Sequence, residues 1–260
     1  LSNNHFLLEL FHGPTLAFKD VAMQLIGEMF GSILGRNNRR STIIAATSGD
    51  TGSAAMEAFC RNPHADVFIL FPHGRVSDVQ RLQMTTLGKK NIFALAVDGD
   101  FDDCQALVKG LFSNLDFRKS VGLTGVNSIN WARVLAQTVY YFTSAISLGA
   151  PKRAISFTVP TGNFGDIFAG YVALKMGLPI DRLVIATNEN DILHRALRTG
   201  LYSKRRIIRT SSPSMDIQVS SNFERLLYDL ADKDGIKISG LMNRLKEKGE
   251  FFIEEKSLNK

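Results

Sequence analysis

The sequence predicts an α/β protein with parallel sheets and helices on both faces. Three observations carry that expectation. Short apolar runs rich in Ile, Val, Phe and Leu lack the polar alternation of a half-exposed strand. Each run is followed by a turn and then by an amphipathic stretch. The alternation recurs along the chain, as strands joined by crossover helices require.

In order, Thr42–Ala46 is a strand candidate, followed by TSGDTG and a helix over Ser53–Cys60. Val67–Phe71 is a strand with a helix over Ser77–Leu87, and Ile92–Val97 a strand with a helix over Phe101–Phe112. Ile155–Val159 leads through PTGNFG into a helix over Ile167–Met176, and Leu183–Thr187 leads into a helix over Ile192–Arg198. Two helices stand outside this rhythm. One follows Gly13-Pro14, with Phe18, Val21, Ala22, Leu25, Ile26, Met29 and Phe30 forming a helical stripe. The other runs from about Trp131 to Leu148, with Trp131, Leu135, Val139, Phe142 and Ile146 on one side. Beyond Thr210 a loop at Ser211–Ser214 and a helix over Phe223–Leu230 are expected, and the remainder reads as charged and exposed.

The chain has 260 residues, 45% of them hydrophobic and 22% charged, an ordinary globular composition that excludes a disordered tail or fibrous repeat. No uncharged apolar run approaches the roughly 18 residues of a membrane span. Two cysteines make no disulfide framework, so a cytoplasmic location is expected. The chain opens at Leu1 and closes at Lys260, which suggests a piece of a longer protein. The net charge of +6 suits a nucleic-acid binder or an enzyme of anionic metabolites. The basic clusters Arg36, Arg39, Arg40 and Lys204, Arg205, Arg206, Arg209 lack the interleaved aromatics of a single-strand platform and read as solvated loops. Neither a nucleic-acid nor a membrane partner is therefore expected. No HExxH, CxxC or close His-Cys arrangement supports a metal site. His12 is the histidine nearest Lys19 in sequence, and the others read as ordinary surface or core residues.

Four segments offer chemistry. Lys19 stands in line with Ala22, Met23 and Ile26, so its ammonium either reaches out to water or is partly desolvated. Desolvation would make the amine nucleophilic. In Thr158–Ile167, Gly162 and Gly165 bracket Asn163 and Phe164 where a strand meets a helix. That loop is either an anion cradle at a helix N-terminus or a tight turn needing glycine. Ala46–Ser53 has the same form, with hydroxyls on Thr47, Ser48 and Thr51. It suits a carboxylate or phosphate, unless Asp50 merely caps the helix. In NSINWAR, Asn127, Ser128 and Asn130 precede Arg133, which could pair with a phosphate or lie at the surface.

LELFHGPTLAFKD, ATSGDTGSA, DGDFDDCQALVK, NSINWAR and VPTGNFGDIFAG occur in one order between about Leu8 and Asn190. In order and phrasing they resemble the threonine synthase family, within the tryptophan-synthase-β-like group of pyridoxal phosphate enzymes. The resemblance implies fold type II: two subdomains with the site between them. It implies a larger cofactor domain over 1–35 and 125–260, incomplete at both ends, and a smaller one over 36–124. By the same resemblance Lys19 forms the Schiff base with pyridoxal 5'-phosphate and is the catalytic amine. Gly162, Asn163, Phe164 and Gly165 hold the cofactor phosphate. Ser48, Gly49, Asp50 and Thr51 hold the substrate carboxylate, with Asp50 near the cofactor ring. Asn127, Ser128 and Arg133 hold the phosphate of O-phosphohomoserine.

The implied reaction turns O-phospho-L-homoserine and water into L-threonine and phosphate, by γ-elimination and β-hydration. The implied protein is a lyase of threonine biosynthesis, a monomer or homodimer. Many relatives outside this branch carry asparagine in place of Asp50, and the hydroxyl partner of the pyridine nitrogen is expected outside this chain. A phospholyase giving 2-oxobutyrate and a non-catalytic nucleotide-binding module stand as alternatives.

Overall fold

The computed structural model describes residues 4–47, 49–128, 130–254 and 256, with the side chain of residue 102 outside that set. Two compact units divide the chain after Ala136.

The first unit begins its regular structure with helix α1 (Lys19–Arg36) and continues through β1 (Ser41–Ala46), α2 (Asp50–Phe59), β2 (Ala65–Pro72) and α3 (Asp78–Thr85). Then come β3 (Ile92–Val97), α4 (Phe101–Ser113), α5 (Leu115–Ser120) and β4 (Leu123–Thr124). The four strands form one sheet in the order β3-β2-β1-β4, and every pairing is parallel. Register pairs Ile43 with Val67 and Ile69 with Ala94.

Alternate residues of the same strands point to opposite faces, and both faces are covered. Ile43, Ala45, Val67, Ile69 and Phe71 pack with Met23 and Ile26 of α1, Met56 and Phe59 of α2, and Met84 of α3. Ile44 and Leu70 face the other way, onto Cys104 and Val108 of α4. This is why β1 and β2 read as unbroken apolar runs, whereas the edge strand β3 leaves Phe93 and Leu95 exposed. Cys60 and Cys104 are buried free thiols, raised above their ordinary range by burial.

Helix α6 (Trp131–Ser147) crosses the division between the units. The second unit continues with β5 (Ile155–Pro160), α7 (Gly165–Lys175), β6 (Ile180–Ala186), α8 (Ile192–Thr199) and β7 (Leu201–Ser203). A short 3-10 turn (Pro213–Met215), α9 (Phe223–Leu230), α10 (Gly235–Lys248) and β8 (Glu250–Phe252) complete it. β5 and β6 pair in parallel, whereas β7 and β8 pair antiparallel. Burial of the Tyr202 hydroxyl on β7 pushes it up to about 12. No described helix is long and apolar enough to cross a membrane.

Three expectations differ from the structure. α1 starts at Lys19 rather than just after Gly13-Pro14, because residues 13–18 form turns. Its buried line is Ala22, Met23, Ile26 and Gly27, while Val21, Leu25 and Met29 of the expected stripe are exposed. The small residues let α1 approach α2 closely; the larger row would hold the two apart. On α6 the expected apolar side is likewise largely exposed at Trp131, Leu135, Val139 and Ile146, and the buried residues include Val134, Gln137, Tyr141 and Ala145. The tail expected to be charged and exposed contains α10 and β8, with Ile238, Leu245 and Phe251 buried.

Candidate active site

Loops leaving the carboxyl ends of parallel strands are where α/β sheets hold ligands. In the first unit β1 and β4 are adjacent parallel strands, so residues 47–50 and 125–128 leave the same edge.

Lys19 opens α1, and its position is fixed from behind by Asp20. The Asp20 side chain is 2% exposed and accepts from the Thr15 hydroxyl at 2.6 Å and the Thr15 amide at 2.9 Å. Those bonds fold the HGPTLAF segment back onto the start of the helix. Lys19 is then directed inward: Nζ lies 4.7 Å from the centre of the Phe18 ring and donates to Asp50 Oδ2 at 2.8 Å. The Lys19 side chain is only 11% exposed and that of Asp50 27%. Of the two possibilities open in the sequence, partial desolvation is the observed one.

The SGDTG loop is built around Thr47, whose buried hydroxyl accepts from the amides of Gly49 and Gly52, both at 3.0 Å. Gly49 adopts φ 144°, a conformation that disfavours any side chain. It is the cap residue of α2, and the Thr47 hydroxyl stands in for the side chain it lacks by taking the Gly52 amide of the first turn. Asp50 does not cap the helix; its carboxylate turns to Lys19 and to Gln80, which donates from Nε2 to Oδ1 at 2.6 Å. Thr51 lies half-buried in the first turn. Ser48 lies outside the described residues.

In the NSINWAR segment Asn130 is the helix cap, accepting from the Ala132 amide at 2.9 Å. Arg133 is 4% exposed and donates from Nη1 to the Val126 carbonyl at 3.1 Å, so it is an interior rather than a surface arginine. Asn127 is exposed and Ser128 half-buried. His12 pairs with Glu9 at 2.8 Å.

The GNFG loop belongs to the second unit, between β5 and α7. Phe164 sits in the left-handed region at φ 63°, with no side-chain cap ahead of Gly165. A non-glycine residue is disfavoured there by roughly 1 kcal/mol. The buried Phe164 ring is held edge-on against Phe223, at 5.3 Å between centres. A Cβ on Gly162 would lie 3.1 Å from Met215 Cα and 3.2 Å from the Ser214 carbonyl, so glycine is needed for close approach. The loop is also tied to the segment before α9. The Ser220 hydroxyl donates to the Gly162 carbonyl at 2.7 Å, and the Asn222 amide to the Asn163 carbonyl at 3.0 Å.

Asp166, in the first turn of α7, would oppose an anion at that helix end. Its Oδ1 instead accepts from the Tyr140 and Tyr141 hydroxyls at 2.6 and 2.9 Å. Burial, and then the Asp166 carboxylate, hold both phenols well above their ordinary range. An uncapped helix end with its nearby carboxylate occupied by two hydroxyls fits a phosphate.

Sequence reasoning missed Asp20, Gln80, Asp166, Ser220 and Asn222. The signal for Asp20 was its place beside Lys19, and for Gln80 the capping box SDVQ, in which Ser77 accepts from the Gln80 amide. The partners of Asp166, Ser220 and Asn222 lie too far along the chain to be seen locally.

The first unit thus offers a partly desolvated lysine facing a loop carboxylate on a parallel α/β scaffold, and the second a glycine-bounded turn at a helix end that fits an anion. Residues 3–241 match the model of the pyridoxal-phosphate dependent enzymes, and the chain belongs to that family.

Among its relatives, threonine synthase of Pseudomonas aeruginosa is 54% identical over 98% of this chain and 54% of its own length. Threonine synthase of Saccharomyces cerevisiae is 48% identical over 97% of this chain and 53% of its own length. The crystal structure of pyridoxal phosphate-bound threonine synthase from Brucella melitensis superposes with a TM-score of 0.94 at 61% identity, covering 99% of this chain and 56% of that one. The chain thus spans about half the length of the relatives it matches.

Proposed function

We propose that this chain forms part of a threonine synthase, converting O-phospho-L-homoserine and water to L-threonine and phosphate. The observation that carries the reading is the Lys19 amine, held at 2.8 Å from the loop carboxylate of Asp50 in a family defined by its cofactor. Identities of 54% and 48% to threonine synthases support the substrate assignment.

Pyridoxal phosphate, when bound, supplies an electron sink for charge developing at the substrate Cα. Lys19 would hold it through its aldehyde carbon. The amides of Gly162, Asn163, Phe164 and Gly165 would hold its phosphate at the α7 N-terminus. Ser48, Gly49, Asp50 and Thr51 would receive the substrate carboxylate and cofactor ring. Asn127, Ser128 and Arg133 would take the substrate phosphate, where the buried guanidinium can make two parallel bonds.

With the cofactor and substrate in place, the Lys19 amine would take the Cα proton and then a Cβ proton, and phosphate would leave Cγ. A proton would return to Cγ, water would add its oxygen to Cβ and give up a proton, Cα would regain its proton, and the amino acid would leave. One amine serves several transfers, and the Asp50 carboxylate can stabilise its protonated form between them. Arg133 offers a buried charge that only a phosphorylated substrate would match, so it also sets specificity.

The domain division over 1–35 with 125–260 against 36–124, a monomeric or homodimeric assembly and a cytoplasmic location belong to the same proposal; the two buried free thiols support the last. Product analysis with O-phosphohomoserine tests the reading. Equal amounts of threonine and phosphate are expected, whereas 2-oxobutyrate in place of threonine would make the protein a phospholyase.

A further inference from the structure

We propose that Gln80 is a positioning residue for the reactive lysine and acts through Asp50. The proposal rests on the reading of Lys19 given above.

The two oxygens of the Asp50 carboxylate are divided between two donors. Oδ2 accepts from Lys19 Nζ at 2.8 Å and Oδ1 from Gln80 Nε2 at 2.6 Å. The Gln80 amide is itself oriented. Its Oε1 accepts from the Ser77 hydroxyl at 3.0 Å and from the Ser77 backbone amide at 3.3 Å, as the second half of a capping box at the start of α3. With the oxygen committed to Ser77, the NH2 end must face the carboxylate.

Gly49 completes the arrangement from below. A Cβ there would stand 2.2 Å from Gln80 Cδ, so the amide lies across the turn in space that only glycine leaves open. Asp50 is more than a quarter exposed, so each added donor narrows the orientations open to its carboxylate. Gln80 selects the one that presents Oδ2 to Lys19. The chain Ser77–Gln80–Asp50–Lys19 thus transmits the rigidity of α3 to the amine.

Covalent capture of pyridoxal phosphate reads this directly and needs no substrate turnover. The new bond joins Nζ to the aldehyde carbon, and the aldehyde oxygen leaves as water with two Nζ hydrogens. The capture rate is measured by absorbance in purified protein freed of cofactor, and the labelled residue is identified after borohydride reduction.

Gln80→Glu keeps the length and the acceptor for Ser77 but loses the donor, so α3 stays capped. Gln80→Leu removes both. Gln80→Leu is expected to slow capture about tenfold, the loss of one charge-assisted hydrogen bond, and Gln80→Glu by more, because it also sets a second carboxylate against Asp50. In an Asp50→Asn background, where the carboxylate is gone, either change is expected to alter the rate less than about twofold, because the two residues act as one unit. Equal slowing with and without the Asp50 carboxylate would reduce Gln80 to a structural prop and overturn the proposal, as would capture at the parent rate in Gln80→Glu. Label on a lysine other than Lys19 in the parent protein would overturn the Lys19 reading itself, and this one with it.

Discussion

Replacing Asp20 by Ala examines how the lysine-bearing segment is held. Asp20 is 2% exposed, and its two strong donors, the hydroxyl and amide of Thr15, lie at 2.6 and 2.9 Å; the Ala17 amide at 3.5 Å adds little. Thr15 is itself 8% exposed, so both donors are poorly placed to find water when the carboxylate is gone. Each orphaned buried donor is worth about 1–3 kcal/mol, which puts the total near 3 kcal/mol for two groups of which one is a rotatable hydroxyl. In a chain of this size each kcal/mol shifts the melting temperature by about 2–4 °C, giving a fall of roughly 6–12 °C. Calorimetry of Asp20→Ala beside Asp20→Asn reads it. The asparagine keeps the volume and one acceptor oxygen, and is expected to lose less. A fall under about 2 °C in Asp20→Ala would show that the turn over residues 13–18 is held by something other than this carboxylate.

Arg133→Ala is expected to lower kcat/KM for O-phosphohomoserine by roughly 10- to 100-fold, the worth of a charged hydrogen-bond donor, with the loss mainly in KM; an unchanged kcat/KM removes Arg133 from the site. Four of the five tyrosines, Tyr140, Tyr141, Tyr171 and Tyr202, are raised above the ordinary value of 10.0, first by burial. Groups with raised folded values contribute stability that is full below the unfolded value of about 10 and is lost as pH climbs above it toward the folded values. Spectrophotometric titration should therefore show Tyr140, Tyr141 and Tyr202 ionising only together with unfolding above pH 10, and reversible ionisation of those phenols near pH 10 in folded protein would contradict their burial. Asp191 gives the acid counterpart: burial raises it, but the Arg195 guanidinium at 2.8 Å more than offsets this and leaves it low. Its contribution is present above the unfolded value of about 4 and is lost as pH falls through the lower folded value, so Arg195→Leu should weaken the dependence of stability on pH below 4.

The strands were legible as short apolar runs bounded by turns, even where the structure leaves them part-exposed. Ile92–Val97 has the same bounds in sequence and structure, and Ile155–Val159 differs by one residue. Both long helices were foreseen, α1 with a later start and only part of its face: Ala22 and Ile26 of the expected stripe are buried, whereas Val21, Leu25 and Met29 give way to Met23 and Gly27. Hydrophobicity reports how much a residue gains from burial, not how closely two helices can approach.

α10 was missed because few of its residues are apolar and only Ile238 and Leu245 are buried among them. At the site, Lys19, Asp50 and the GNFG loop were visible from motif and position. Their supports were not. Gln80 meets Asp50 across 30 residues and Ser220 meets Gly162 across 58, and polar side chains carry no periodic signal that would announce such partners. The loop reading of Ser211–Ser214 was sound as far as it went, but its role is to back the GNFG turn through Ser214 and Met215.

The central claim is that Lys19 carries the cofactor. Borohydride reduction of the purified yellow protein, followed by peptide mapping by mass spectrometry, measures this directly. A pyridoxyl group on the peptide containing Lys19, with both label and colour absent in Lys19→Ala, is the predicted result. A label on another lysine, or colour that survives the substitution, would contradict it.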